Sequence, residues 1–423
     1  MRPIQIAEIV AVGSELLTPT RIDTNSLTIT ARLNELGIEV HAKAVVGDRR
    51  DDLAAVVRGA LGRVDLLVLC GGLGPTDDDL TREVVADVLA LRLYEDLRIT
   101  DAIRTRFTRR QLSMPEINRR QAMVPEGADV IVNVNGTAPG LWIAHGEQVV
   151  VLLPGPPREL GPMLDGEVTR RLSARVSGEG LFTRAIRLFG RSESHAEEAV
   201  QPFYAAWLAG RPSIEVTILA ARGAIDLHLT TRARSAEEAD RVLEPAVAQA
   251  VGAIGDDVYS DHGESLEVVV GDLLRARGWR LAAAESCTGG MLLERMTDRP
   301  GSSAYVDAGC VCYSNASKVE LLGVRQESID SHGAVSDTVA QEMAAGIRRR
   351  TGAELGIAIT GIAGPDGGTP DKPVGTVVIA IDSPLGEAVR TKRMLGGRDL
   401  IRAMSVNAAL DMARRQLTGR VVP

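Results

Sequence analysis

The sequence predicts an α/β protein with two or three domains. Its 423 residues are too many for one ordinary hydrophobic core. Short apolar runs typical of buried strands alternate with amphipathic helical stretches, and glycine-rich polar turns follow several of the strands. This succession is typical of parallel sheets that are covered by helices on both faces.

The composition argues against several classes of function. The formal net charge of −8 disfavours a general nucleic-acid-binding protein. The longest apolar runs, such as residues 149–153, are too short to span a membrane, and the first residues read as a strand rather than a signal peptide. Four cysteines show no CxxC spacing, which predicts reduced thiols and a cytoplasmic protein.

Residues 1–170 form the first predicted domain, with strands at 7–12, 39–46 and 65–70 and helices at 25–36 and 53–61. The loop after the third strand runs Gly71-Gly72-Leu73-Gly74-Pro75-Thr76-Asp77-Asp78-Asp79. Such a loop suits a diphosphate, but its carboxylates, and Asp48 at the end of another strand, would then require a divalent cation. The alternative is a solvated cluster of carboxylates that caps the following helix.

Residues 171–257 predict a small α+β domain. Ser192 is expected to cap a helix, and a turn at Arg222–Gly223 is expected to join two strands. The strands are expected at 184–189, 214–219 and 225–230, and the helices at 193–200 and 236–251.

Residues 262–420 form the third predicted domain, which is organised around one turn. A buried apolar strand leads into Glu285-Ser286-Cys287-Thr288-Gly289-Gly290, and a helix is expected from Met291. Unpaired N–H groups at a helix start favour an anion or a developing oxyanion. The turn alone leaves three alternatives open, namely a phosphate cradle, a mount for a hydroxyl nucleophile and a plain tight turn.

Two further features favour a catalytic site. Lys318 is one of only four lysines, and a buried lysine can act as a base, whereas arginine cannot release its proton. Arg398 and Arg402 lie four residues apart in a predicted helix and suit a phosphate monoester. The alternatives are a surface lysine and a solvated helix face.

These motifs resemble the CinA family (competence/damage-inducible protein A) over essentially the whole chain. The resemblance implies an α/β protein with an N-terminal molybdopterin-binding-like parallel sheet domain, a small α+β KH-like middle domain and a C-terminal α/β deamidase domain. The segments that carry it are Gly13–Leu17, Ile22–Asn25, Gly71–Thr76, Asn133, Gly136–Gly140, Leu153–Leu160, Glu285–Gly290, Tyr313–Lys318, Gly333–Ser336, Thr360–Gly368 and Lys372–Val377.

For the first domain, the resemblance implies hydrolysis of ADP-ribose at its diphosphate, dependent on a divalent metal ion (Mg, Mn or Co). It places Asp48, Asp78 and Asp79 near the metal. Substrate-binding roles are implied for Gly71, Gly72, Gly74, Thr76 and Asn25. For the middle domain, we expect a spacer or a dimer-forming module rather than an RNA-binding one.

For the third domain, the resemblance implies deamidation of nicotinamide mononucleotide without a cofactor. Ser286 would attack the carboxamide, Lys318 would take its proton, and Tyr313 would assist. Further substrate contacts, including N–H groups for the oxyanion and an arginine for the 5′-phosphate, are implied for Thr288, Gly289, Gly290, Gly361, Gly364, Arg398 and Arg402. Cys287 is the rival nucleophile, disfavoured because no histidine is adjacent in sequence.

The resemblance also suggests a homodimer that acts on small nucleotides. From the net charge and the short apolar runs, we expect it to bind neither nucleic acid nor a membrane. The competing hypothesis is a non-catalytic, competence-related binding or regulatory protein with a molybdopterin-like or nucleotide pocket.

Overall fold

The computed structural model of this chain describes residues 3–176, 178–221 and 223–422. These residues divide into two units, the first reaching residue 182 and including 231–240, the second comprising 183–230 and the chain from 241 onward. Among the described residues, no helix combines the length and the apolar character needed to cross a membrane.

The first unit contains a six-stranded and a two-stranded sheet. Its strands are β1 (Ile6–Val12), β2 (Glu39–Val46), β3 (Leu66–Cys70), β4 (Leu93–Glu95), β5 (Met123–Pro125), β6 (Asp129–Ile131), β7 (Gly140–His145) and β8 (Gln148–Leu153). Its helices are α1 (Asn25–Glu35), α2 (Arg50–Leu61), α3 (Thr81–Val88), α4 (Leu97–Arg109), α5 (Pro157–Met163) and α6 (Thr169–Ser173). Short 3-10 helices cover Ser14–Leu17 and Glu116–Ala122, and a π-helical turn covers Leu164–Val168.

The large sheet has the strand order β2-β1-β3-β8-β7-β6. The first four strands are parallel, whereas β7 and β6 are antiparallel to their neighbours. The prediction of a parallel sheet is therefore confirmed for β2, β1, β3 and β8, and it is wrong for β7 and β6 at one edge. The β7–β8 connection is too short for the crossover that parallel strands require, so a hairpin forms.

The central strands are apolar because helices cover both faces of the sheet. Ile9 and Val10 are neighbours in β1, both fully buried, yet they belong to two different hydrophobic clusters. One cluster includes residues of α1 and α5, and the other includes residues of α2 and α3. Successive side chains of a strand point to opposite faces, so both faces need apolar residues.

The middle of the chain forms an α+β part with a four-stranded sheet of order β10-β11-β9-β12. Its elements are β9 (Gly180–Phe189), α7 (Glu193–Val200), α8 (Tyr204–Ala209), β10 (Ile214–Ala221), β11 (Ala224–Ala233), α9 (Ala236–Ile254) and β12 (Val258–Ser260). Arg222 of the predicted turn lies outside the described residues. RNA-binding KH domains hold the nucleic-acid backbone with a GXXG loop. Residues Gly252–Gly255 have this spacing, but they end α9 and begin a 3-10 turn, so they do not form a loop between two helices.

The C-terminal part has a five-stranded sheet of order β14-β13-β15-β16-β17. Its strands are β13 (Leu281–Glu285), β14 (Val306–Val311), β15 (Leu355–Gly361), β16 (Thr376–Ser383) and β17 (Gly386–Arg393). Its helices are α10 (Leu266–Arg277), α11 (Met291–Thr297), α12 (Asn315–Leu322), α13 (Gln326–His332), α14 (Asp337–Thr351) and α15 (Arg398–Leu417).

The three strands β14, β13 and β15 are parallel, and their carboxyl ends meet at one edge. Glu285 at the end of β13 pairs with Val311 of β14 and Ile359 of β15. The residues that follow these strands are therefore neighbours in space although they lie far apart in sequence. This edge carries the candidate active site.

Candidate active site

The turn after β13 presents Ser286 at this edge. Its backbone N–H donates a 2.9 Å hydrogen bond to the carbonyl of Ile359 in β15, which fixes the start of the turn. Gly289 and Gly290 have φ of +62° and +96°, a conformation that costs glycine little and other residues more. These two glycines let the chain reverse and enter α11 at Met291.

The side chain of Glu285 stabilises the turn after β13 and the start of α11. Its side chain is fully buried, and the carboxylate accepts hydrogen bonds from the backbone N–H groups of Gly290 (3.0 Å), Leu292 (3.1 Å) and Leu293 (2.9 Å). A buried carboxylate is tolerated here because it is fully hydrogen-bonded at the positive end of α11. The Glu285 carbonyl also accepts a 2.8 Å hydrogen bond from the N–H of Cys312, which ties the turn to the segment after β14.

Lys318 lies on α12 and reaches back to Ser286. Ser314 caps this helix by accepting a hydrogen bond from the N–H of Ser317. Only 1% of Lys318 is exposed, and its Nζ lies 3.1 Å from Oγ of Ser286. Nζ also donates to the backbone carbonyls of Cys312 (2.9 Å) and Tyr313 (3.2 Å). The contact expected from the sequence between these two side chains is present.

The surroundings of Lys318 favour its neutral form. Burial lowers the pKa of the Lys318 amine, because desolvation penalises the ammonium form. Within the described residues, its hydrogen-bond partners are two carbonyls and a hydroxyl, with no carboxylate among them. A neutral amine has two N–H bonds and one lone pair. The two carbonyls can take both hydrogens, which leaves the lone pair free to accept the hydroxyl proton of Ser286.

The predicted donors for an oxyanion need a correction. The N–H of Gly289 donates to the Ser286 carbonyl (3.1 Å) and the N–H of Gly290 donates to Glu285, so both form part of the turn itself. Along the described chain, no backbone carbonyl accepts a hydrogen bond from the N–H group of Cys287 or of Thr288. Those two groups, which directly follow Ser286, are the available donors.

The predicted role of Tyr313 also needs a correction. Its side chain is 61% exposed, and its hydroxyl accepts a 3.2 Å hydrogen bond from Arg398 rather than bonding Ser286 or Lys318. Its backbone carbonyl, not its phenol, contacts the Lys318 amine. Tyr313 therefore contacts the Lys318 amine through its backbone carbonyl and Arg398 through its hydroxyl.

The two arginines of α15 differ in what they contact. Arg398 is exposed and donates to the carbonyl of Gly364 (2.7 Å), whereas the half-buried Arg402 donates to the carbonyl of Thr288 (2.8 Å). Nε of Arg402 and Oγ1 of Thr288 are both buried, and neither has a hydrogen-bond partner among the residues that the structure describes. Gly361 ends β15 and packs closely against Val377 of β16, which gives it a structural role.

The thiol of Cys287 is poorly suited to act as the nucleophile. It is 6% exposed, and burial raises its pKa to about 11, so little thiolate forms at neutral pH. Its Sγ makes no hydrogen bond to Lys318 in the described part of the chain. The geometry therefore favours the hydroxyl of Ser286.

A second candidate site is a cavity of about 380 Å³ in the first unit, here called the glycine-loop cavity. Its lining includes Gly71, Gly72 and Gly74, as the sequence predicts. Gly71 has φ of +105°, and a Cβ at this position would lie 2.1 Å from the carbonyl of Val12. Glycine is therefore required for the close approach of this loop to β1.

Five carboxylates line the glycine-loop cavity, namely Glu15, Asp48, Asp78, Asp79 and Glu159. Asp48 accepts a 2.7 Å hydrogen bond from the N–H of Ser14, and Asp79 accepts one of 2.9 Å from the N–H of Thr76. The hydroxyl of Thr76 also bonds Asp79, and Asn25 donates to the carbonyl of Gly155 (2.7 Å). Thr76 and Asn25 therefore stabilise the neighbouring loops through hydrogen bonds. Neither residue is among those that line the glycine-loop cavity.

The fit of a metal ion to this cavity is only partial. Across the described residues, no group of three or more His, Cys, Asp or Glu side chains is arranged to hold a metal ion. The predicted set of Asp48, Asp78 and Asp79 is therefore not a preformed metal site. Mg²⁺ is commonly held by one or two carboxylates together with substrate phosphates. The carboxylates that line the cavity are enough for this kind of binding.

Two components of the candidate active site are not predicted from the sequence. One is Glu285, although a single carboxylate at the end of a buried strand before a helix is itself a capping signal. The carbonyls of Cys312 and Tyr313 belong to the backbone and leave no sequence signal.

Comparisons with known proteins agree with this architecture. Three family models match the chain, namely "Probable molybdopterin binding domain" at residues 8–174, "Damage-inducible protein CinA KH domain" at 183–260 and "CinA C-terminal domain" at 263–417. A CinA-like protein of Koribacter versatilis (strain Ellin345) is 46% identical over 417 residues, which cover 97% of this chain and 100% of that protein. A CinA-like protein of Solibacter usitatus (strain Ellin6076) is 44% identical over 98% of this chain and 99% of that protein.

Among solved structures, a competence-damaged protein (CinA) superfamily member from Klebsiella pneumoniae 700603 is 38% identical. The match covers 36% of this chain and 96% of that chain, with a TM-score of 0.36. The matched family models and the full-length relatives lead to one conclusion: the chain belongs to the CinA family.

Proposed function

We propose that the C-terminal part hydrolyses the carboxamide of nicotinamide mononucleotide, with Ser286 as nucleophile and Lys318 as base. One observation carries the proposal, namely the buried Lys318 amine that is held by two carbonyls 3.1 Å from the Ser286 hydroxyl. Serine is a weak nucleophile unless a neighbouring base takes its proton. A lysine can provide that base when burial lowers its pKa.

In the first step, the neutral Lys318 amine accepts the Ser286 proton while the oxygen attacks the carboxamide carbon. The N–H groups of Cys287 and Thr288 stabilise the charge on the carbonyl oxygen. The Lys318 ammonium then donates its new proton to the departing nitrogen, and ammonia leaves. In the second step, Lys318 takes a proton from water while the water oxygen attacks the acyl-enzyme. The Lys318 ammonium then returns this proton to the departing Oγ of Ser286, which releases nicotinic acid mononucleotide and restores the neutral amine.

The start of α15 is our candidate for the site of the 5′-phosphate. This helix of 20 residues begins at Arg398, and its N-cap residue Gly397 offers no side-chain cap. Its first N–H groups and the Arg398 guanidinium, which already contacts Tyr313 and Gly364, suit an anion. Arg402 instead contacts the turn of residues 286–290, here called the nucleophile turn, through the carbonyl of Thr288. We therefore assign phosphate binding to Arg398.

The test is incubation of the purified full-length chain with nicotinamide mononucleotide, with products followed by mass spectrometry. Wild type should release nicotinic acid mononucleotide and ammonia, and Ser286→Ala should lose this activity by on the order of a thousandfold or more. Recovery of unchanged mononucleotide, bound tightly after long incubation, would favour the non-catalytic alternative.

The glycine-loop cavity favours a second activity, hydrolysis of ADP-ribose at its diphosphate. Its glycine turn leads into α3, and its carboxylates would hold a divalent metal only together with substrate phosphates, through Asp48, Asp78 or Asp79. Such a metal would supply charge neutralisation and an activated water. Ser286→Ala should leave this activity intact, because Ser286 does not line the cavity.

A further inference from the structure

Two cysteines lie beside the candidate active site, and the proposed deamidation uses neither thiol. Cys310 lies in β14 and Cys312 directly follows its last residue, so their side chains point to the same side of the sheet. Both pack against the same hydrophobic cluster, where Cys312 is buried and Cys310 is partly exposed. β14 is an edge strand, and its residues Gly309 and Val311, on either side of Cys310, are exposed. A small molecule in solution can therefore reach the Cys310 thiol.

The two thiols differ in reactivity. A hydrogen bond from the Cys312 thiol lowers the pKa of Cys310, and the Arg350 guanidinium acts in the same direction. Cys310 is therefore more often thiolate at neutral pH than an ordinary cysteine, and the thiolate is the form that attacks electrophiles. The same contact, together with burial, raises the pKa of Cys312. Burial also raises the pKa of Cys70 to about 12 and that of Cys287 to about 11, so Cys310 is the most reactive of the four thiols.

Cys312 also contacts the proposed base. Its carbonyl accepts the 2.9 Å hydrogen bond from Nζ of Lys318, and its N–H donates a 2.8 Å hydrogen bond to the carbonyl of Glu285. Its sulfur lies 3.5 Å from the same Glu285 carbonyl, which is an alternative acceptor for the thiol hydrogen. A change in the backbone at Cys312 therefore moves one of the two carbonyls that hold the Lys318 amine.

A disulfide between Cys310 and Cys312 would require such a change. Cα atoms two residues apart in a strand are separated by about 6.4–6.8 Å. Most disulfides join Cα atoms about 5.5–6 Å apart, with an upper limit of about 6.8 Å. Cys310 is held by pairing with Ala284, whereas Cys312 lies beyond the end of β14 and can shift more easily. Closing the bond would move the Cys312 carbonyl by roughly 1 Å, and a displacement of this size can slow a reaction about a hundredfold.

We propose that Cys310 and Cys312 form a modification site for a peroxide, which converts the two thiols to a disulfide and displaces the carbonyl that holds Lys318. The Cys310 thiolate attacks one oxygen of hydrogen peroxide, so that an S–O bond forms and the O–O bond breaks. The second oxygen leaves as hydroxide and takes up a proton. The Cys312 sulfur then loses its proton and attacks the Cys310 sulfur, which releases the remaining oxygen as water. Two thiols are oxidised to one disulfide, and one hydrogen peroxide is reduced to two water molecules.

The test is treatment of the purified full-length chain with a stoichiometric amount of hydrogen peroxide, followed by mass spectrometry of unreduced peptides. Wild type should lose two of its four free thiols and yield a peptide with an internal disulfide. Cys310→Ser removes the attacking thiolate, so its three remaining thiols should stay free. Cys312→Ala should leave a sulfenic acid on Cys310, which dimedone traps. Cys70→Ala is the matched control, because it removes a buried thiol elsewhere and should still form the disulfide.

Two further readouts follow the effect on Lys318. Deamidation of nicotinamide mononucleotide should fall about tenfold or more in the oxidised wild type and return after reduction with dithiothreitol. Peroxide should not change the deamidation rate of Cys310→Ser. Acetylation of Lys318 by acetic anhydride, followed by mass, should become faster after oxidation, because the displaced segment no longer holds and covers the amine. This second readout does not depend on the proposed deamidation.

A disulfide with faster Lys318 acetylation, in a protein that never deamidates the mononucleotide, would support the modification site and refute the proposed deamidation. Four free thiols after peroxide treatment, or a sulfinic acid on Cys310 without a disulfide, would overturn the inference. A disulfide that changes neither the acetylation of Lys318 nor deamidation would also overturn it, because the Cys312 carbonyl would then have stayed in place.

Discussion

Replacing Lys318 tests the proposed deamidase mechanism most directly. Lys318→Arg keeps a positive charge that cannot be released, and Lys318→Met keeps an unbranched side chain without any proton-accepting atom. Removal of a general base lowers kcat/KM by about 10² to 10⁴. Both variants should show a loss in this range, which corresponds to about 3–5 kcal/mol of transition-state stabilisation.

The pH dependence gives this test a second readout. Burial lowers the pKa of Lys318 below its ordinary value of 10.5, so the active neutral form becomes populated at a lower pH than for an exposed lysine. In wild type, kcat/KM should rise as pH passes upward through this lowered pKa. Rates of nicotinic acid mononucleotide formation across pH should show this rising limb in wild type and not in either variant.

Stability should follow the same titration. At a pH below the pKa of Lys318 in the folded state, the buried ammonium group lowers the free energy of unfolding of wild type. This destabilisation disappears as pH rises from that pKa towards 10.5. Lys318→Met has no such cost, but it leaves the carbonyls of Cys312 and Tyr313 without their donor, at about 1–3 kcal/mol each. The advantage of wild type in free energy of unfolding should therefore grow with pH. Lys318→Arg activity within tenfold of wild type, or a rising limb that persists in Lys318→Met, would refute the assignment.

Three other substitutions test separate parts of the structure. Cys287→Ala should keep deamidase activity within about threefold, because burial already keeps the thiol protonated; a hundredfold loss would make Cys287 the nucleophile. Glu285→Gln should lower the free energy of unfolding by about 2–4 kcal/mol, because three N–H groups lose a charged acceptor. The same change should lower kcat more than it changes KM. An unchanged melting temperature would contradict this prediction. Asp79→Ala and EDTA should each abolish ADP-ribose hydrolysis and leave deamidation unchanged; loss of deamidation in EDTA would reveal a metal requirement at the Ser286 site.

Much of the fold follows from local patterns in the sequence. The alternation of apolar strands with helices predicts β1, β2 and β3, and Ser192 is correctly predicted to cap a helix, which is α7. The antiparallel edge of the first sheet was missed, because short apolar strands do not encode their direction and only the length of the connection limits it.

The meeting of Ser286 and Lys318 is also a consequence of the chain pattern. Each follows the carboxyl end of a strand, and β13 and β14 are parallel neighbours, so the two segments lie at one edge of the sheet. The pattern does not predict the protonation state of the Lys318 amine. That depends on the Cys312 and Tyr313 carbonyls and on burial of Lys318, all of which arise from tertiary packing.

The glycines of the nucleophile turn illustrate why a motif does not by itself define a set of donors. A glycine-rich turn at a helix start suggests free N–H groups, but Glu285 precedes the nucleophile and its carboxylate occupies the positive end of α11. Because that end is already neutralised by a buried anion, a second negative charge there would be repelled. We therefore assign the oxyanion of the proposed reaction to the N–H groups of Cys287 and Thr288, which donate to no backbone carbonyl of the described chain. Gly289 and Gly290 shape the turn, and the residues between them and Ser286 provide the hydrogen bonds.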